Sequence, residues 1–203
     1  MIETRLADFG YRFINLDDGW AAPTPEGKAA KPNEKFPDMK GMVARLHEYG
    51  LKAGMYSSPG GETCGGFTGS LGREEANAAF WAECGFDLLK YDYCSYIKEV
   101  PWDAPYARHA EPYRKMKQAL RATDRDFVFS VCTGGAFEPW TWAADAGAHL
   151  WRTTPDVFDT WGSVTGCDKL HSAISCFQRS GRWNDPDMMI VGWVGWGPDL
   201  HPT

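Results

Sequence analysis

Short apolar runs alternate with amphipathic segments along most of this chain. The runs predict β-strands at residues 11–16, 51–56, 86–91, 127–131 and 149–152, with a last segment at 183–191. Between the runs, apolar residues recur at helical spacing. They predict helices over 39–49, 70–84, 140–146 and 167–177 and around Tyr113, Met116 and Leu120, while residues 1–9 predict the end of a helix.

A helix, a glycine and a strand follow one another three times, at Gly10, Gly50 and Gly85. This alternation is typical of βαβ units, and it predicts an α/β fold with a parallel sheet. Two parallel architectures compete at this point, the doubly wound open sheet and the (β/α)8 barrel. The first gathers its ligand groups at one switch point of the sheet, whereas the second collects them from nearly every strand.

The positions of the polar residues favour the barrel. Six successive runs contribute polar or reactive side chains at their carboxyl ends, which indicates a TIM barrel. Because six strands are predicted and a complete barrel has eight, we expect an incomplete barrel without its first and last strands. The strand-end residues are Asp17, Asp18, Tyr56, Lys90, Asp92, Cys132, Thr133, Arg152, Asp156, Asp185 and Asp187.

Composition narrows the possible functions. The 203 residues are 43% hydrophobic, which is enough for one sizeable core. The formal net charge of −6 argues against a nucleic-acid partner, and no apolar run approaches the roughly 20 residues of a membrane span. Six cysteines without a C-x-x-C pair, five dispersed histidines and the lack of a phosphate-binding loop predict no metal or other cofactor. Aromatic residues make up 14% of the chain; they are large packing units first, and they also suit stacking on the apolar faces of sugars or other flat ligands.

Two carboxylates carry the candidate chemistry. Asp92 directly follows an apolar strand, and Asp156 closes the segment 151–156. Two carboxylates at the mouth of one barrel, beside aromatic walls, are what glycoside hydrolysis needs, since one attacks the anomeric carbon while the other protonates the departing oxygen. Lys90 is a nearby cation that would keep the nucleophile ionised. The alternative is that strand-end carboxylates cap helices or pair with Lys and Arg.

Six segments of the chain resemble glycoside hydrolase family 27, which comprises α-galactosidases and α-N-acetylgalactosaminidases. They are FINLDDGW at 13–20, GMY at 54–56, TCGGFTGSLG at 63–72, LLKYDYC at 88–94, WRTTPD at 151–156 and WNDPDMMIVG at 183–192. The resemblance implies a (β/α)8 catalytic barrel followed by a β-sandwich domain, and a retaining mechanism. Residues 1–203 would be part of that catalytic barrel, with no second domain in this chain.

The resemblance also implies residue roles. Asp92 would be the nucleophile and Asp156 the general acid/base, while Asp17 and Asp18 would bind the 4- and 6-hydroxyls of a galactosyl ring. Neighbouring carboxylates can accept hydrogen bonds from adjacent hydroxyls, and an epimer would leave a buried carboxylate unpaired. An axial 4-hydroxyl can be selected in this way. Lys90 would hydrogen-bond the ring hydroxyls.

The rest of the sugar pocket is implied in the same way. Arg152 would bind the 2-position of the sugar. Asp185 would order the turn at Pro186 rather than contact the sugar. Ordinary core packing is the alternative for the aromatic and methionine side chains of the pocket wall. That wall would consist of Trp20, Tyr56, Asp187 and Met188.

Two departures from the family pattern are present. Gly19 stands where vertebrate-type members carry Cys, and Thr133 and Ala136 stand near positions where the family often has Glu and Trp. Glu suits a free 2-hydroxyl, whereas small residues can admit an N-acetyl group. The first interpretation is an α-galactosidase that acts on an α-galactoside oligosaccharide or glycoconjugate. An α-N-acetylgalactosaminidase and a catalytically inactive sugar-binding barrel are the alternatives.

The resemblance further places a disulfide between Cys64 and Cys94. We expect the other four cysteines to be unpaired, with Cys84 and Cys176 packed on helix faces. A secreted or periplasmic location is expected, with any signal peptide upstream of Met1. Because a barrel without two of its strands has open edges, we expect the 203-residue chain alone to be inactive.

Overall fold

A computed structural model describes residues 1–158 and 160–187. The chain divides into two compact units, Met1–Phe129 and the residues from Ser130 onward. The first unit contains β1 (Phe13–Asn15), α1 (Met39–Glu48), β2 (Lys52–Ser57), α2 (Glu74–Cys84), β3 (Leu88–Asp92), α3 (Tyr106–Arg121) and the start of β4 (Val128–Cys132), with 3-10 helices at Leu6–Phe9 and Cys94–Lys98.

The strands of the first unit are parallel and follow one another in chain order. β1 pairs with β2 through partners such as Phe13 and Lys52. β2 pairs with β3, and this register places Tyr56 beside Lys90. The backbone N–H of Val128 donates to the carbonyl of Asp87 at 2.8 Å, which brings the start of β4 next to β3.

Local sequence signals explain where the helices begin and end. Asp38 caps α1 by accepting a hydrogen bond from the Gly41 N–H at 2.8 Å. α2 ends at Gly85, whose φ of 92° lies in the left-handed region that glycine adopts at low cost. Gly54 of β2 is required for another reason, because any Cβ there would collide with the side chain of Asn15 on β1.

The core of the first unit is built around aromatic side chains. Tyr91 of β3 packs edge-on against Tyr113 of α3, with ring centroids 5.7 Å apart, and lies 6.1 Å from Phe129. Met116 of α3 and Trp81 of α2 are fully buried. Burial of large side chains on both helices and strands fixes the helices against the sheet.

The second unit contains three parallel strands in chain order. Its elements are β4, β5 (Leu150–Arg152), α4 (Trp161–Ala173) and β6 (Trp183–Asp185), with 3-10 helices at Pro139–Thr141 and Ser175–Phe177. β5 pairs with β4 on one side and with β6 on the other. The buried Trp151 donates its indole N–H to Asn184 at 2.7 Å, and Asn184 donates to the carbonyl of Ile174 at 2.9 Å.

The strand order confirms the predicted fold class. Each of the six strands pairs with the next one along the chain, from β1 to β6, without a reversal. A doubly wound sheet contains such a reversal, whereas a (β/α)8 barrel does not. The described residues therefore supply six of the eight strands of a (β/α)8 barrel. None of the helices in this described part of the chain is long and apolar enough to cross a membrane.

Several predicted boundaries were wrong. α2 begins at Glu74 rather than at residue 70, because the Ser70 hydroxyl is buried and bonded to Ser57 at 2.7 Å and to Asn77 at 2.8 Å. α4 begins at Trp161, earlier than its apolar pattern indicated, because Thr160 caps it. The segments predicted as helix at 1–9 and 140–146 contain only short 3-10 helices and turns. Within the segment predicted at 183–191, residues 188–191 lie outside the described residues.

Candidate active site

In the first unit, the carboxyl ends of three neighbouring strands bring predicted site residues together. The Lys90 ammonium on β3 lies 2.9 Å from Asp17, which follows β1. β2 lies between these two strands, and its Tyr56 ring centroid is 5.1 Å from the same Lys90 nitrogen. The side chains of Lys90 and Asp17 are 31% and 66% exposed, so this ion pair is open to solvent and adds little to stability.

Backbone amides orient the two neighbouring carboxylates. Asp18 accepts hydrogen bonds from the Gly65 N–H at 2.6 Å and from the Gly19 N–H at 2.8 Å. Asp17 accepts from the Asp18 N–H at 2.8 Å. Backbone N–H groups therefore supply hydrogen bonds to both carboxylates, and these donors orient them without a flexible side chain.

Asp92 at the end of β3 is held by two donors. One carboxylate oxygen accepts from the Tyr93 N–H at 2.9 Å, and the other accepts from the Tyr56 hydroxyl at 3.3 Å. Burial, together with Asp92, Asp18 and Asp17, raises the pKa of Tyr56 far above its ordinary value. The Tyr56 hydroxyl therefore stays protonated and donates to Asp92.

Trp20 is a buried residue that contacts the backbone of Tyr56. Its side chain is 1% exposed, and its indole N–H donates to the Tyr56 carbonyl at 2.8 Å. A buried indole with a satisfied N–H packs well and keeps the end of β2 in place. Trp20 thus contacts the backbone of Tyr56, whose hydroxyl donates to Asp92.

The predicted disulfide is present between Cys64 and Cys94, whose Cα atoms are 4.8 Å apart. It joins the loop after β2 to the residues that follow Asp92, and the Tyr56 hydroxyl lies 3.3 Å from the Cys94 sulfur. The remaining cysteines are thiols, with Cys84 buried on α2 as expected. The expectation for Cys176 was wrong, because it is exposed in a short 3-10 helix.

The disulfide also decides whether this corner holds a metal ion. Ligand atoms of Cys64, Asp92 and Cys94 lie within 4.8 Å of one another. Both sulfurs are consumed by the bond between them, so neither is a thiolate that could bind zinc. The cluster is a disulfide next to a carboxylate rather than a metal centre.

In the second unit, the strand-end residues gather around Arg152 of β5. One guanidinium nitrogen, Nη2, lies 2.8 Å from Asp156 and also 2.8 Å from Asp187. The other terminal nitrogen, Nη1, lies 3.8 Å from the Cys132 sulfur. Although burial opposes the charged form, contacts with Cys132, Asp156 and Asp187 raise the pKa of Arg152, so its charge is permanent.

The two carboxylates on Arg152 have different surroundings. The side chain of Asp156 is 82% exposed, whereas that of Asp187 is 3% exposed. Asp187 also accepts a hydrogen bond from the Val157 N–H at 2.7 Å. Asp156 is therefore available to a ligand from solution, while Asp187 is enclosed by groups of its own unit.

Two other predicted residues of the second unit lie in turns. Thr133, directly after β4, donates its hydroxyl to the Ala136 carbonyl at 2.8 Å. Asp185, at the end of β6, accepts from the Asp187 N–H at 3.0 Å, so it orders the turn around Pro186. Met188 lies outside the described residues.

Sequence reasoning missed the groups that hold Asp92 and Asp18. The N–H groups of Tyr93 and Gly65 carry no side-chain signature, so no sequence pattern could have identified them. It also missed His109 of α3, which is buried and lies 2.6 Å from the Tyr93 hydroxyl and 3.2 Å from the Ala104 carbonyl. Burial lowers the pKa of His109, which leaves the imidazole neutral.

The family model described as Alpha galactosidase A matches residues 1–203. The chain belongs to this family, glycoside hydrolase family 27. The α-galactosidase 2 of Arabidopsis thaliana is 38% identical over 196 residues, which cover 95% of this chain and 47% of that protein. The chain spans about half the length of the curated relatives that it matches.

Solved structures of this family resemble the chain closely. The α-galactosidase I of Mortierella vinacea is 33% identical with a TM-score of 0.86, and the match covers 94% of this chain and 53% of that one. The α-galactosidase of Saccharomyces cerevisiae is 28% identical with the same TM-score of 0.86, covering 95% of this chain and 47% of the yeast protein. The family 27 membership and the fold of this chain therefore agree.

Proposed function

We propose that the protein containing this chain is a retaining α-galactosidase that releases terminal α-linked galactose. The relatives that it resembles are named α-galactosidases, and the one from Saccharomyces cerevisiae was solved with raffinose. The observation that carries the proposal is the setting of Asp92. Its carboxylate is held by a backbone N–H and a protonated Tyr56 hydroxyl at the end of a barrel strand.

In this proposal, Asp92 attacks the anomeric carbon while Asp156 gives its proton to the departing oxygen. The attack forms a covalent galactosyl-enzyme. Asp156 then takes a proton from water, which hydrolyses that intermediate and restores both carboxyl groups. The two donors on Asp92 support its role because hydrogen bonds to the charged form favour a carboxylate over a carboxylic acid.

The remaining strand-end residues would bind the sugar. Asp17 and Asp18 would accept hydrogen bonds from the 4- and 6-hydroxyls, and Lys90 would bind the ring hydroxyls. The ion pair between Lys90 and Asp17 supports this, since its two charges are open to a ligand from solution. Arg152, Thr133 and the wall residues Trp20, Tyr56, Asp187 and Met188 would complete the pocket.

Azide rescue tests the nucleophile. We expect Asp92→Gly in the full-length protein to lose nearly all turnover of a nitrophenyl α-galactoside. Added azide should restore release of the nitrophenol and give a galactosyl azide of inverted anomeric configuration. Asp124→Ala is the matched control, because that carboxylate is exposed in the turn before β4, away from the strand ends. Activity retained in Asp92→Gly without azide would contradict the assignment.

A second candidate is α-N-acetylgalactosaminidase activity on the same scaffold. It is favoured by the turn after β4, where Thr133 directs its hydroxyl to the small residue Ala136 within the same turn. No large acidic side chain stands at Thr133 to engage a free 2-hydroxyl. Comparing kcat/KM on the nitrophenyl α-galactoside and on its N-acetylgalactosaminide separates the two candidates. Galactose binding without turnover of either substrate would instead support a sugar-binding barrel.

We further propose that residues 1–203 form part of one catalytic barrel and act outside the reducing cytoplasm. The disulfide between Cys64 and Cys94 supports that location, because such bonds persist in oxidising compartments. Fractionation of the source cells, followed by an activity assay of the culture medium, periplasm or organelles and cytosol, tests it. Activity confined to the cytosol would contradict it.

A further inference from the structure

The carboxylate of Asp187 is buried and paired with a cation. Its side chain is 3% exposed, and the same oxygen receives the Val157 N–H and faces Arg152 Nη2. The backbone of Asp187 has φ of 81°, in the left-handed region that Asp adopts more readily than most residues. The Asp185 carboxylate accepts the Asp187 N–H, and the Thr154 hydroxyl donates to the Pro186 carbonyl at 3.0 Å. The turn is therefore built to direct this carboxylate inward.

Two carboxylates share one cation in this arrangement. Arg152 Nη2 lies at the same 2.8 Å from the exposed Asp156 and from the buried Asp187. A cation paired with a carboxylate favours its charged form. A general acid must hold a proton when the substrate arrives, so an undivided ion pair with Arg152 would work against catalysis.

We propose that Asp187 is a positioning residue that draws part of the Arg152 charge away from Asp156 and thereby keeps Asp156 competent as a proton donor. This inference rests on the proposed function, because it needs Asp156 to be the acid/base. Asp187 acts through Arg152 and through the Val157 N–H, which directly follows Asp156 in the chain.

The groups around Arg152 in the second unit agree with this role for Asp187. Arg152 on β5 is the cation, Asp187 after β6 is its buried counter-charge, and Cys132 on β4 touches the other terminal nitrogen of the guanidinium. Asp185 binds a backbone N–H rather than Arg152. Removing the charge of Asp187 therefore leaves Arg152 to Asp156, and Asp156 loses its proton more easily.

The test is the pH dependence of kcat/KM for Asp187→Asn in the full-length protein, measured on an α-galactoside whose leaving group needs protonation. We expect the alkaline limb of the profile to move to lower pH by about 1 unit. Asp187→Glu, which retains the charge, should restore the limb towards its wild-type position. Asp168→Asn is the matched control, because it removes an exposed carboxylate on α4 of the same unit and should leave the limb in place. A limb that stays in place in Asp187→Asn would overturn the inference.

A double variant covers the case in which Asp187→Asn fails to fold. Arg152→Gln with Asp187→Asn leaves no unpaired buried charge at this place, so it avoids the penalty of a broken pair. If Asp187 offsets Arg152, removing both leaves the alkaline limb within about 0.3 pH units of wild type, since about 1 unit is expected for either charge alone. A limb moved to higher pH by about 1 unit would show that Asp187 does not offset the cation, and would contradict the inference.

Asp156→Gln separates this inference from the proposed function. If Asp156 is the acid/base, the variant loses the alkaline limb and retains activity on aryl galactosides whose leaving group needs no protonation. An unchanged limb in Asp156→Gln would contradict the proposed role of Asp156. Loss of the limb there, combined with an unmoved limb in Asp187→Asn, would contradict the inference on Asp187 alone.

Discussion

Tyr56 is a hydroxyl that its surroundings keep protonated. Burial and three nearby carboxylates raise its pKa, and its O–H points at Asp92 and at the sulfur of Cys94. The sulfur of a disulfide has no proton to give, so the single Tyr56 proton is shared between the Asp92 carboxylate and the Cys94 sulfur as acceptors. A side chain that sequence analysis assigned to the pocket wall is thus a direct hydrogen-bond partner of the proposed nucleophile.

We predict that Tyr56→Phe lowers kcat of the full-length enzyme by about 10-fold or more, since a hydrogen bond to a charged group contributes about 1.5–3 kcal/mol. Steady-state kinetics on the nitrophenyl α-galactoside measures the effect. Tyr49→Phe is the control, because that hydroxyl lies on an exposed residue at the end of α1. Equal kcat values for the two variants would show that the Tyr56 hydroxyl does not act on Asp92.

Between the elements, a buried carboxylate joins the helices and strands at the amino end of the sheet. Asp87, just before β3, accepts from the Ala53 N–H at 2.9 Å and from His47 at 2.8 Å. It also receives Lys52 at 3.3 Å and Arg125 at 2.8 Å. Burial opposes its charge, but the Ala53 N–H, His47 and Lys52 outweigh it and lower the pKa of Asp87.

This cluster predicts acid-labile stability. Because the pKa of Asp87 is lowered in the folded state, its contribution is present above the unfolded value of about 3.9 and is lost as the pH falls through the folded value. We expect Asp87→Asn to reduce the free energy of unfolding at pH 7 by about 1–3 kcal/mol and to flatten its pH dependence below about pH 4. Urea unfolding at several pH values measures both effects.

Glu83→Gln is the control for Asp87→Asn. Its partner Lys40 lies 3.2 Å away, but both side chains are more than 60% exposed, at 71% and 64%. Such surface pairs contribute about 0–1 kcal/mol. Matching losses in Asp87→Asn and Glu83→Gln would contradict a special role for the buried carboxylate.

The loops after β2 and β3 depend on the disulfide. Cys64 precedes Gly65, whose N–H holds Asp18, and Cys94 follows Asp92 closely in the chain. The bond closes a loop with a sequence separation of 30 residues. The disulfide therefore holds the chain next to both Asp18 and Asp92, two carboxylates of the proposed sugar site.

We predict that Cys64→Ala with Cys94→Ala lowers the free energy of unfolding by about 3–4 kcal/mol, as loop entropy indicates. KM should rise as well, because Asp18 loses its anchored amide partner. Urea unfolding and steady-state kinetics measure the two effects. Cys176→Ala, an exposed thiol, is the control and should leave both unchanged. An unaltered KM in the double variant would show that the loop holds Asp18 without the bond.

For the molecule as a whole, the number of strands predicts whether residues 1–203 fold and act on their own. In the described part of the chain, β1 and β6 are the outer strands of the order and each pairs with one neighbour. An unpaired strand edge exposes backbone donors and acceptors, and a barrel removes such edges by closing. We therefore predict that residues 1–203 expressed alone aggregate or show no turnover, while the full-length protein is active. Size-exclusion chromatography and the nitrophenyl assay decide it, and a monomeric, active 1–203 would contradict the prediction.

Local pattern was sufficient to identify the βα order and the strand-end residues. Alternation of apolar runs with amphipathic segments is a short-range property, so the six strands and the polar groups at their ends were predictable. Predicted helix boundaries were wrong where a tertiary contact overrides the local pattern. At Ser70, the buried hydroxyl bonds to Ser57 and Asn77, and the helix does not begin there.

The contacts that define the site were decided by the tertiary structure. Lys90 meets Asp17 across β2 only because the register of three strands brings them together. Arg152 divides its charge between Asp156 and Asp187 only because the turn after β6 directs a buried carboxylate inward. Sequence specifies which groups stand at each strand end, since that depends on neighbouring residues. Their partners, burial and charge state depend on groups far apart in the chain, and packing alone sets those.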